Sequence, residues 1–385
     1  MNTATMLRNE AGIAAVLERL AARFGPKLQT GLAIRAQHGH TVTYIPTQAP
    51  DGVLYPQDLQ EVQEAVRICA EFRVPIIPFG TGTSLEGHVN APAGGISFDM
   101  SEMKRVLAVN QEDLDCTVEA GLTREELNQY LRDTGLFFPI DPGANASLGG
   151  MAATRASGTN AVRYGTMREN VLSLTAVLAD GRAITTARRA RKSSAGYDLT
   201  RLLVGSEGTL GIITSLTVRL YGIPPAISGG VCPFPSVEAA CNAVIMTIQM
   251  GIPVARIELV NALGMRAING YSNLDYPEGP CLFVEFHGTE SGVHEQAEMF
   301  GEIASEFSGG PFVWTSAAEQ RQKLWKARHD FHWASLKLRP GKKALTTDVC
   351  VPISRLAECI VETEADIAES GLVAPIVGHG GDGNF

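Results

Sequence analysis

The sequence predicts an α+β fold, and three observations lead to this class. The pattern over 58–73 predicts a helix, and the apolar run that follows it predicts a strand at 74–79. The stretch from 139 to 222 is rich in strand formers and contains an Asp180-Gly181 turn between two strand-like runs, which is typical of a hairpin. Beyond Pro224-Pro225, strands and helices alternate in an order that predicts an antiparallel sheet with helices on one face.

Local patterns justify each element. In the helix over 58–73, Asp58 and Glu61 predict a capping box, and the apolar residues fall on one face. Thr123 predicts the start of a second helix, which Gly135 ends. Further strands are predicted at 95–100, 116–120, 211–220, 231–234, 254–260, 281–287 and 344–351. Further helices are predicted at 236–250, 290–307, 316–338 and 354–369.

Length and charge limit the class of protein. A chain of 385 residues suggests at least two domains, and the pattern divides it into a helical extension at 1–44, a domain at 45–224 and a domain at 225–385. The net charge of −9 argues against nucleic-acid binding. Seven cysteines without a C-x-x-C pair indicate reduced core thiols. With neither a signal peptide nor a membrane-spanning stretch in this sequence, we expect a cytoplasmic protein, and peripheral contact with the inner membrane is compatible with this expectation.

The most informative motif is the loop P-F-G-T-G-T-S-L-E-G-H at 78–88. Its glycines and hydroxyl residues form a backbone that can bend tightly and present N–H groups to an anion such as a pyrophosphate. A nicotinamide-binding fold needs a helix directly after such glycines, but Gly87, Pro92, Gly94 and Gly95 oppose a helix here. A nucleotide-triphosphate loop is excluded because the chain lacks a glycine-lysine-serine/threonine triplet.

Two further glycine clusters each adjoin a predicted element. They read D-P-G-A-N-A-S-L-G-G at 141–150 and V-G-S-E-G-T-L-G-I-I at 204–213. Either one alone is explained equally well as a tight turn or a bulge. Together with the loop at 78–88, they predict a long groove for an extended dinucleotide.

These motifs, with S-G-T-N-A-V-R-Y-G-T-M-R-E-N-V-L between them, resemble the FAD domain of the vanillyl-alcohol oxidase / p-cresol methylhydroxylase (PCMH) superfamily. In the second half, P-V-A-R-I-E, L-F-V-E-F-H-G, L-W-K-A-R-H, T-T-D-V-C-V-P-I-S-R-L and I-V-G-H-G-G-D-G-N-F resemble the cytochrome-type D-lactate dehydrogenases. The resemblance implies a PCMH-type FAD-binding domain of two α+β subdomains, followed by an antiparallel-sheet cap domain that is incomplete at its C-terminus.

The resemblance also implies which residues bind FAD. The loop would hold the pyrophosphate, the second cluster would follow the dinucleotide, and the third would hold the adenosine or flavin end. The implied residues are Gly80, Thr81, Gly82, Thr83, Ser84, Pro142, Gly143, Ser147, Gly150, Gly158, Glu207, Gly211 and Ile213. Some relatives attach FAD to a histidine beside the loop glycines. His88 lies outside that position, so we expect non-covalent FAD.

In the cap domain, the resemblance implies substrate roles for Arg328, His379 and Asn384. A guanidinium at Arg328 suits a substrate carboxylate, although an arginine on a helix is equally typical of a surface residue. His379 lies among glycines and is the expected ligand of a divalent metal, zinc or manganese. The other histidines, including His287, are expected to be packing or surface residues.

The function implied is oxidation of a D-2-hydroxy acid, with D-lactate preferred. Relatives that act on D-2-hydroxyglutarate resemble K-Y-D where this chain has Thr346-Thr347-Asp348, so a cation for a second carboxylate is missing. The implied electron acceptor is cytochrome c or a quinone. The alternatives are the FAD subunit of a glycolate oxidase, a D-2-hydroxyglutarate dehydrogenase, or a protein that binds flavin without catalysis.

We expect this chain to belong to a longer protein. The metal motif of the family is G-H-x-G-D-G-N-x-H, and the sequence ends at Phe385, one residue before the second histidine. Sequencing the reading frame beyond Phe385 tests this expectation. A stop codon directly after Phe385 would contradict it.

Overall fold

The computed structural model describes residues 8–41 and 43–385 and has the predicted α+β class. Its internal contacts divide the chain into two compact units. The first contains the described residues up to Ser157 together with Thr166–Gly222, and the second contains Gly158–Gly165 and Ile223–Phe385. A short segment from the middle of the sequence therefore packs with the second unit.

Helices occur throughout the chain. Among the residues that the structure describes, no helix combines the length and the apolar character needed to cross a membrane. The helices are α1 (Glu10–Phe24), α2 (Leu32–Gln37), α3 (Leu59–Glu71), α4 (Arg124–Leu131), α5 (Leu148–Ala153), α6 (Ala161–Tyr164), α7 (Met167–Asn170), α8 (Leu199–Leu203), α9 (Val237–Gln249), α10 (Ala262–Ser272), α11 (Glu290–Glu306), α12 (Ala318–His329), α13 (Phe331–Lys337) and α14 (Leu356–Ser370). Short 3₁₀ turns lie at Gly25–Lys27, Met100–Glu102, Ile353–Arg355 and Gly380–Asp382.

The strands form separate sheets in the two units. They are β1 (Leu28–Gln29), β2 (Gly52–Leu54), β3 (Ile76–Phe79), β4 (Ile96–Asp99), β5 (Val106–Asn110), β6 (Asp115–Glu119), β7 (Leu136–Phe137), β8 (Val171–Val177), β9 (Ala183–Thr185), β10 (Ile212–Arg219), β11 (Tyr221–Gly222), β12 (Ala226–Pro233), β13 (Val254–Val260), β14 (Cys281–Gly288), β15 (Val313–Thr315) and β16 (Val377–Gly378).

The first unit begins with a four-stranded sheet in the order β1-β2-β4-β3, in which β3 and β4 run parallel. Helices α1 and α3 bury their apolar faces in the same core as Phe98 of β4. The predicted capping box of α3 forms only in part. Asp58 Oδ1 accepts from the Glu61 amide at 2.9 Å, but the Glu61 carboxylate accepts from the amide of Gln57. It also pairs with Lys27, and this competing partner draws the carboxylate away from the cap.

The second sheet of this unit is antiparallel, in the order β5-β6-β10-β8-β9. The hairpin predicted around Asp180-Gly181 is confirmed as the pair β8 and β9. The capping box of Thr123 and Glu126 starts α4, as the sequence predicts for that helix. The core of this sheet is apolar and includes Val118, Leu174 and Leu216. Two α+β subdomains thus make up the first unit, in agreement with the predicted fold class.

The second unit contains a five-stranded antiparallel sheet in the order β15-β12-β14-β13-β16. Alternate residues of β14 enter two different cores because successive strand side chains point to opposite faces. Leu282, Val284 and Phe286 pack with α9, α11 and α14, whereas Phe283 packs with α10, α12 and α13. The predicted arrangement with helices on one face is therefore incomplete, since helices cover both.

Two predicted elements of the second unit are wrong. The helix predicted over 316–338 is divided at Asp330, whose ψ of 1° interrupts the helical backbone, and Phe331 then packs into the core. The strand predicted over 344–351 does not form, although Cys350 makes an isolated bridge to Asn384. Leu345 there is 68% exposed. Backbone hydrogen bonds join Val349 and Val351 to Phe385 and Gly383, whereas residues 344–348 have no such bonds within the described chain and therefore do not extend the bridge into a strand.

All seven cysteines are free, and five of them are buried, as predicted for core thiols. Burial raises the pKa of Cys69 and of Cys116 to about 12, so both remain protonated thiols at neutral pH. Cys350 is exposed and Cys359 is half-buried, so the prediction of a core location is wrong for these two.

His38 packs against Phe79, the last residue of strand β3. Its Nε2 lies 2.9 Å from Asp99 Oδ2, its Nδ1 lies 2.8 Å from the Ile34 carbonyl, and its ring centroid lies 4.3 Å from that of Phe79. Because both neighbouring oxygens accept hydrogen bonds, they favour the doubly protonated form of the ring. Burial acts to lower the pKa of His38, but the bonds to Asp99 and Ile34 outweigh it and raise the pKa above its ordinary value.

We predict that His38→Gln destabilises the first unit more at acidic than at alkaline pH. A histidine with a raised folded-state pKa contributes its full stability below the unfolded-state pKa, and this contribution is lost as pH rises through the folded-state pKa. Urea denaturation below about pH 6 and above about pH 8 measures the difference. The exposed His294→Gln serves as control, and an equal loss for His38→Gln at both pH values would contradict the account.

Candidate cofactor and substrate sites

The three glycine clusters meet beside the end of β3. A Cβ on Gly80 would lie 2.2 Å from Ser147 Oγ, and a Cβ on Gly208 would lie 3.0 Å from Pro78 Cγ. Gly208 also has a φ of +78°, which side chains rarely adopt. Glycine at these positions therefore allows the second and third clusters to approach the loop at 78–88.

The loop itself has the properties of an anion site. No helix follows β3 within residues 80–95, as the sequence predicts. Within the described ranges, no backbone carbonyl accepts a hydrogen bond from the amides of residues 81–84. The Thr81 and Thr83 hydroxyls lie 3.2 Å apart on this loop. Unused amides and hydroxyls on a half-exposed glycine loop suit the oxygens of a pyrophosphate.

The remaining predicted cofactor residues fall into three groups. The loop that leads to α5 contains Pro142 and Gly143, and Gly150 lies in the first turn of α5. A Cβ on Gly143 would have no other atom within 4 Å. Gly211 approaches Val177 closely, and the Ile213 side chain is only 6% exposed in the core, so only the backbone of Ile213 is available to a ligand. Gly158 groups with the second unit, and its predicted role stays a prediction.

His88 is fully engaged by protein groups. Its Nδ1 is hydrogen-bonded to Ser84 Oγ, and its Nε2 lies 2.8 Å from Glu207 Oε2. Both ring nitrogens are thus occupied, which supports the interpretation that FAD is held without a covalent bond to this histidine. The residues of the first unit fit FAD as a ligand, and a contact of Gly80 to Ser84 with its pyrophosphate stays a prediction.

In the second unit, one face of the sheet carries charged residues. Arg256 and Glu258 of β13 lie on the same face as Glu285 of β14, because Arg256 pairs with Glu285 in the antiparallel register. Helix α12 covers this face with three side chains spaced along one helical stripe, namely Arg321, Trp325 and Arg328.

Glu258 joins two of the predicted substrate residues. Arg328 Nη2 donates to Glu258 Oε2, and His379 Nδ1 lies 2.8 Å from Glu258 Oε1. Glu258 is 1% exposed and Arg328 is 9% exposed, so Arg328 is not a surface residue. Burial acts to raise the pKa of Glu258, but the charges of His379 and Arg328 outweigh it and hold that pKa below its ordinary value.

Arg328 retains donor capacity. Its Nε is buried and has no hydrogen-bond partner among the described residues. A buried, unpaired N–H of a guanidinium is costly unless another acceptor reaches it. This orphaned donor fits a ligand oxygen and favours Arg328 as a carboxylate-binding residue.

A second buried network lies beside the first. Glu285, 3% exposed, accepts from Trp325 Nε1 and lies 2.8 Å from His287 Nε2, whose Nδ1 is 2.7 Å from the Tyr164 hydroxyl. Burial acts to raise the pKa of Glu285, but Arg256, His287 and Arg321 lower it below its ordinary value. The prediction that His287 is a packing or surface residue misses this role, since His287 belongs to a buried hydrogen-bond chain.

Asn384, the third predicted substrate residue, lies in the C-terminal turn, and its side chain bonds to residues other than Arg328 and Glu258. Asn384 Nδ2 donates to Asp348 Oδ1 and to the Val349 carbonyl, while its backbone bridges to His379. No group of three potential metal ligands occurs among residues 8–41 and 43–385. The residues present therefore do not form a metal site by themselves, and a metal at His379 stays a prediction.

Sequence reasoning missed Glu258, Glu285 and Arg256 as site residues. The sequence feature that could have identified these residues is a charged side chain at alternate positions of an otherwise apolar strand. A charge is rarely buried without a partner, so such a position indicates a buried ion pair. His379 reaches Glu258 because β16 pairs with β13, with Gly378 opposite Leu259.

Comparisons with known proteins agree with this description. Residues 50–187 match the model of the FAD binding domain, and residues 223–385 match that of the FAD linked oxidases, C-terminal domain. A protein of Danio rerio named probable mitochondrial D-lactate dehydrogenase is 54% identical over 361 residues, which cover 93% of this chain and 73% of that protein. The mitochondrial D-lactate dehydrogenase [cytochrome] of Arabidopsis thaliana is 49% identical over 336 residues, 87% of this chain. The chain spans only 59% of the length of that plant relative.

A solved structure shares the fold. The 4-ethylphenol oxidase from Gulosibacter chungangensis superposes with a TM-score of 0.76 at 16% identity, covering 95% of this chain and 79% of that one.

The fold and the cofactor site define an FAD-dependent oxidoreductase. The chain belongs to the family of FAD-linked oxidases, and proteins named D-lactate dehydrogenase are among its relatives.

We predict that Glu258→Gln destabilises the second unit by about 3 kcal/mol. The amide keeps the shape of the side chain but leaves the Arg328 charge buried without its counter-charge. Thermal and urea unfolding of the variant measure this loss. Glu302→Gln, an exposed residue of α11, is the matched control, and an unfolding midpoint for Glu258→Gln equal to that of the control would refute the structural role of the pair.

Proposed function

We propose that the protein oxidises a D-2-hydroxy acid, with D-lactate as the preferred substrate and pyruvate as the product. The observation that carries this proposal is the buried Arg328, held by Glu258 beside His379 with its Nε unpaired. A fixed guanidinium with a spare donor suits a carboxylate, which every 2-hydroxy acid carries.

Arg328 binds and orients the substrate. Its Nη2 is occupied by Glu258, so a substrate carboxylate would be received by the remaining donors, including the unpaired Nε. Because Glu258 and the helix α12 hold the guanidinium, little side-chain freedom is lost when the substrate binds.

Glu258 and His379 set the polarity next to Arg328. The Glu258 carboxylate holds the His379 ring through Nδ1, which keeps a proton on that nitrogen. When bound, FAD would supply the redox chemistry, as the acceptor of a hydride equivalent from the substrate. Arg328 and His379 together offer positive charge and a hydrogen-bonding imidazole to the carboxylate and hydroxyl of the substrate.

The donors of this face favour a monocarboxylate. Arg256, Arg321 and Arg328 lie opposite the two carboxylates of Glu258 and Glu285, and Glu285 is within 3.5 Å of Arg256 and 4.0 Å of Arg321. Arg328 carries a buried unpaired donor, its Nε, on this face. One such donor suits the single carboxylate of D-lactate, and the names of the relatives support the same substrate.

The electron acceptor proposed is a cytochrome, and a quinone is the second choice. Support for a cytochrome comes from the name of the plant relative, D-lactate dehydrogenase [cytochrome]. The FAD subunit of a glycolate oxidase is the competing function, because the GlcD subunit of Bacillus subtilis is 31% identical over 340 residues. One assay distinguishes these functions. It compares the rates at which glycolate, D-2-hydroxyglutarate and D-lactate reduce the flavin.

We predict that Arg328→Lys weakens the response to D-lactate strongly. Lysine keeps the charge but loses the planar set of donors, so the concentration of D-lactate giving half-maximal flavin reduction should rise about tenfold to hundredfold. Stopped-flow absorbance of the flavin in the holoprotein measures this change.

The exposed Arg339→Lys is the matched control and should behave like the wild type. An unchanged half-maximal concentration in Arg328→Lys would contradict the role of this arginine. Faster reduction of the wild type by D-2-hydroxyglutarate than by D-lactate would contradict the proposed substrate.

A further inference from the structure

His88 connects two of the glycine clusters through its side chain. Its Nδ1 is hydrogen-bonded to Ser84 Oγ in the loop at 78–88, and its Nε2 lies 2.8 Å from Glu207 Oε2 in the cluster at 204–213. Because the Glu207 carboxylate only accepts hydrogen bonds, Nε2 carries the proton and Nδ1 can accept from the Ser84 hydroxyl. The imidazole therefore bridges Ser84 and Glu207.

The Glu207 end of this bridge is fixed by the fold. Glu207 has a φ of +52°, an uncommon conformation for a residue other than glycine, and its amide donates to the Ala153 carbonyl at the end of α5 at 2.9 Å. Gly205 is held in the same way by the Ala152 carbonyl. The third cluster is thus anchored to the helix that follows the second one.

The Ser84 end belongs to a loop with few restraints of its own. Within the described part of the chain, His88 to Glu207 is the only ionic or hydrogen-bonded link between residues 80–88 and residues 204–211. A glycine-rich loop loses more conformational entropy on ordering than other segments do. A side chain that orders the loop in advance reduces the cost of binding a ligand there.

We propose that His88 is a positioning residue for FAD, which holds the loop of Gly80 to Ser84 in the conformation that receives the pyrophosphate. This inference rests on the FAD site described above. It assigns to His88 a role through Ser84 and Glu207 and no contact with the reacting atoms. Glu86 is the other charged group near the ring, with Oε2 3.7 Å from Nδ1. Its Oε2 also accepts from the Ser84 hydroxyl at 3.3 Å, but its side chain is 70% exposed, so solvent weakens its influence.

The test is the affinity of the apoprotein for FAD, measured by quenching of flavin fluorescence in wild type and variants. His88→Ala should weaken FAD binding about tenfold. His88→Gln should restore most of the affinity, because its amide can donate to Glu207 and accept from Ser84. The control is His40→Ala, an exposed histidine outside the loop, which should bind FAD like the wild type.

A double-mutant cycle separates this role from general loss of structure. If the bridge acts as a unit, the double variant His88→Ala/Glu207→Ala should lose much less FAD affinity than the product of the fold losses in the two single variants. Equal affinity of wild type and His88→Ala, or strictly multiplicative effects in the cycle, would overturn the inference. Should His88→Ala fail to fold, His88→Leu and Glu207→Ala give the same comparison, because neither variant can form the bridge, and an unchanged affinity in both overturns the inference. Failure of the wild type to bind FAD would instead refute the FAD assignment, and the inference with it.

Discussion

The candidate substrate site depends on the buried carboxylate of Glu258. An ionised group that is 1% exposed is stable only if opposite charges and hydrogen bonds replace its lost hydration. Arg328 on α12 and His379 in the C-terminal turn supply them, from elements that are 70 and 121 residues away in sequence. The need to neutralise one side chain therefore brings a strand, a helix and a terminal turn together, and it fixes the guanidinium and imidazole in place.

In the first unit, the corresponding constraint is steric. Gly80 allows Ser147 to approach the loop, and Gly208 allows the third cluster to reach Pro78, at distances that a Cβ atom would prevent. The close approach leaves the amides of residues 81–84 for an anion, while His38 and Phe79 support the strand that carries the loop. Different interactions thus position the two sets of candidate residues. Close backbone packing positions the candidate cofactor residues of the first unit, and compensation of buried charges positions the candidate substrate residues of the second.

Local patterns predicted most elements because their causes are local. The helix α9 begins after Ser236 and the β8–β9 hairpin turns at Asp180-Gly181, both as the sequence indicates. The failures need information from elsewhere in the chain. Residues 344–351 have strand propensity but no full neighbouring strand, and the break at Asp330 allows Phe331 to enter the core. Glu258 cannot be identified as a site residue from a local pattern, because its pairing with Arg328 is a tertiary contact between residues distant in sequence.

The proposed function requires that Arg328 binds the carboxylate of the substrate that reduces FAD. The most direct test is the anaerobic absorbance spectrum of the flavin in the purified holoprotein, recorded with D-lactate and with its neutral amide, D-lactamide. The account predicts that D-lactate bleaches the flavin band and that D-lactamide, which lacks the negative charge, does so at least about tenfold less effectively. Equal bleaching by both compounds, or no bleaching by D-lactate, would contradict it.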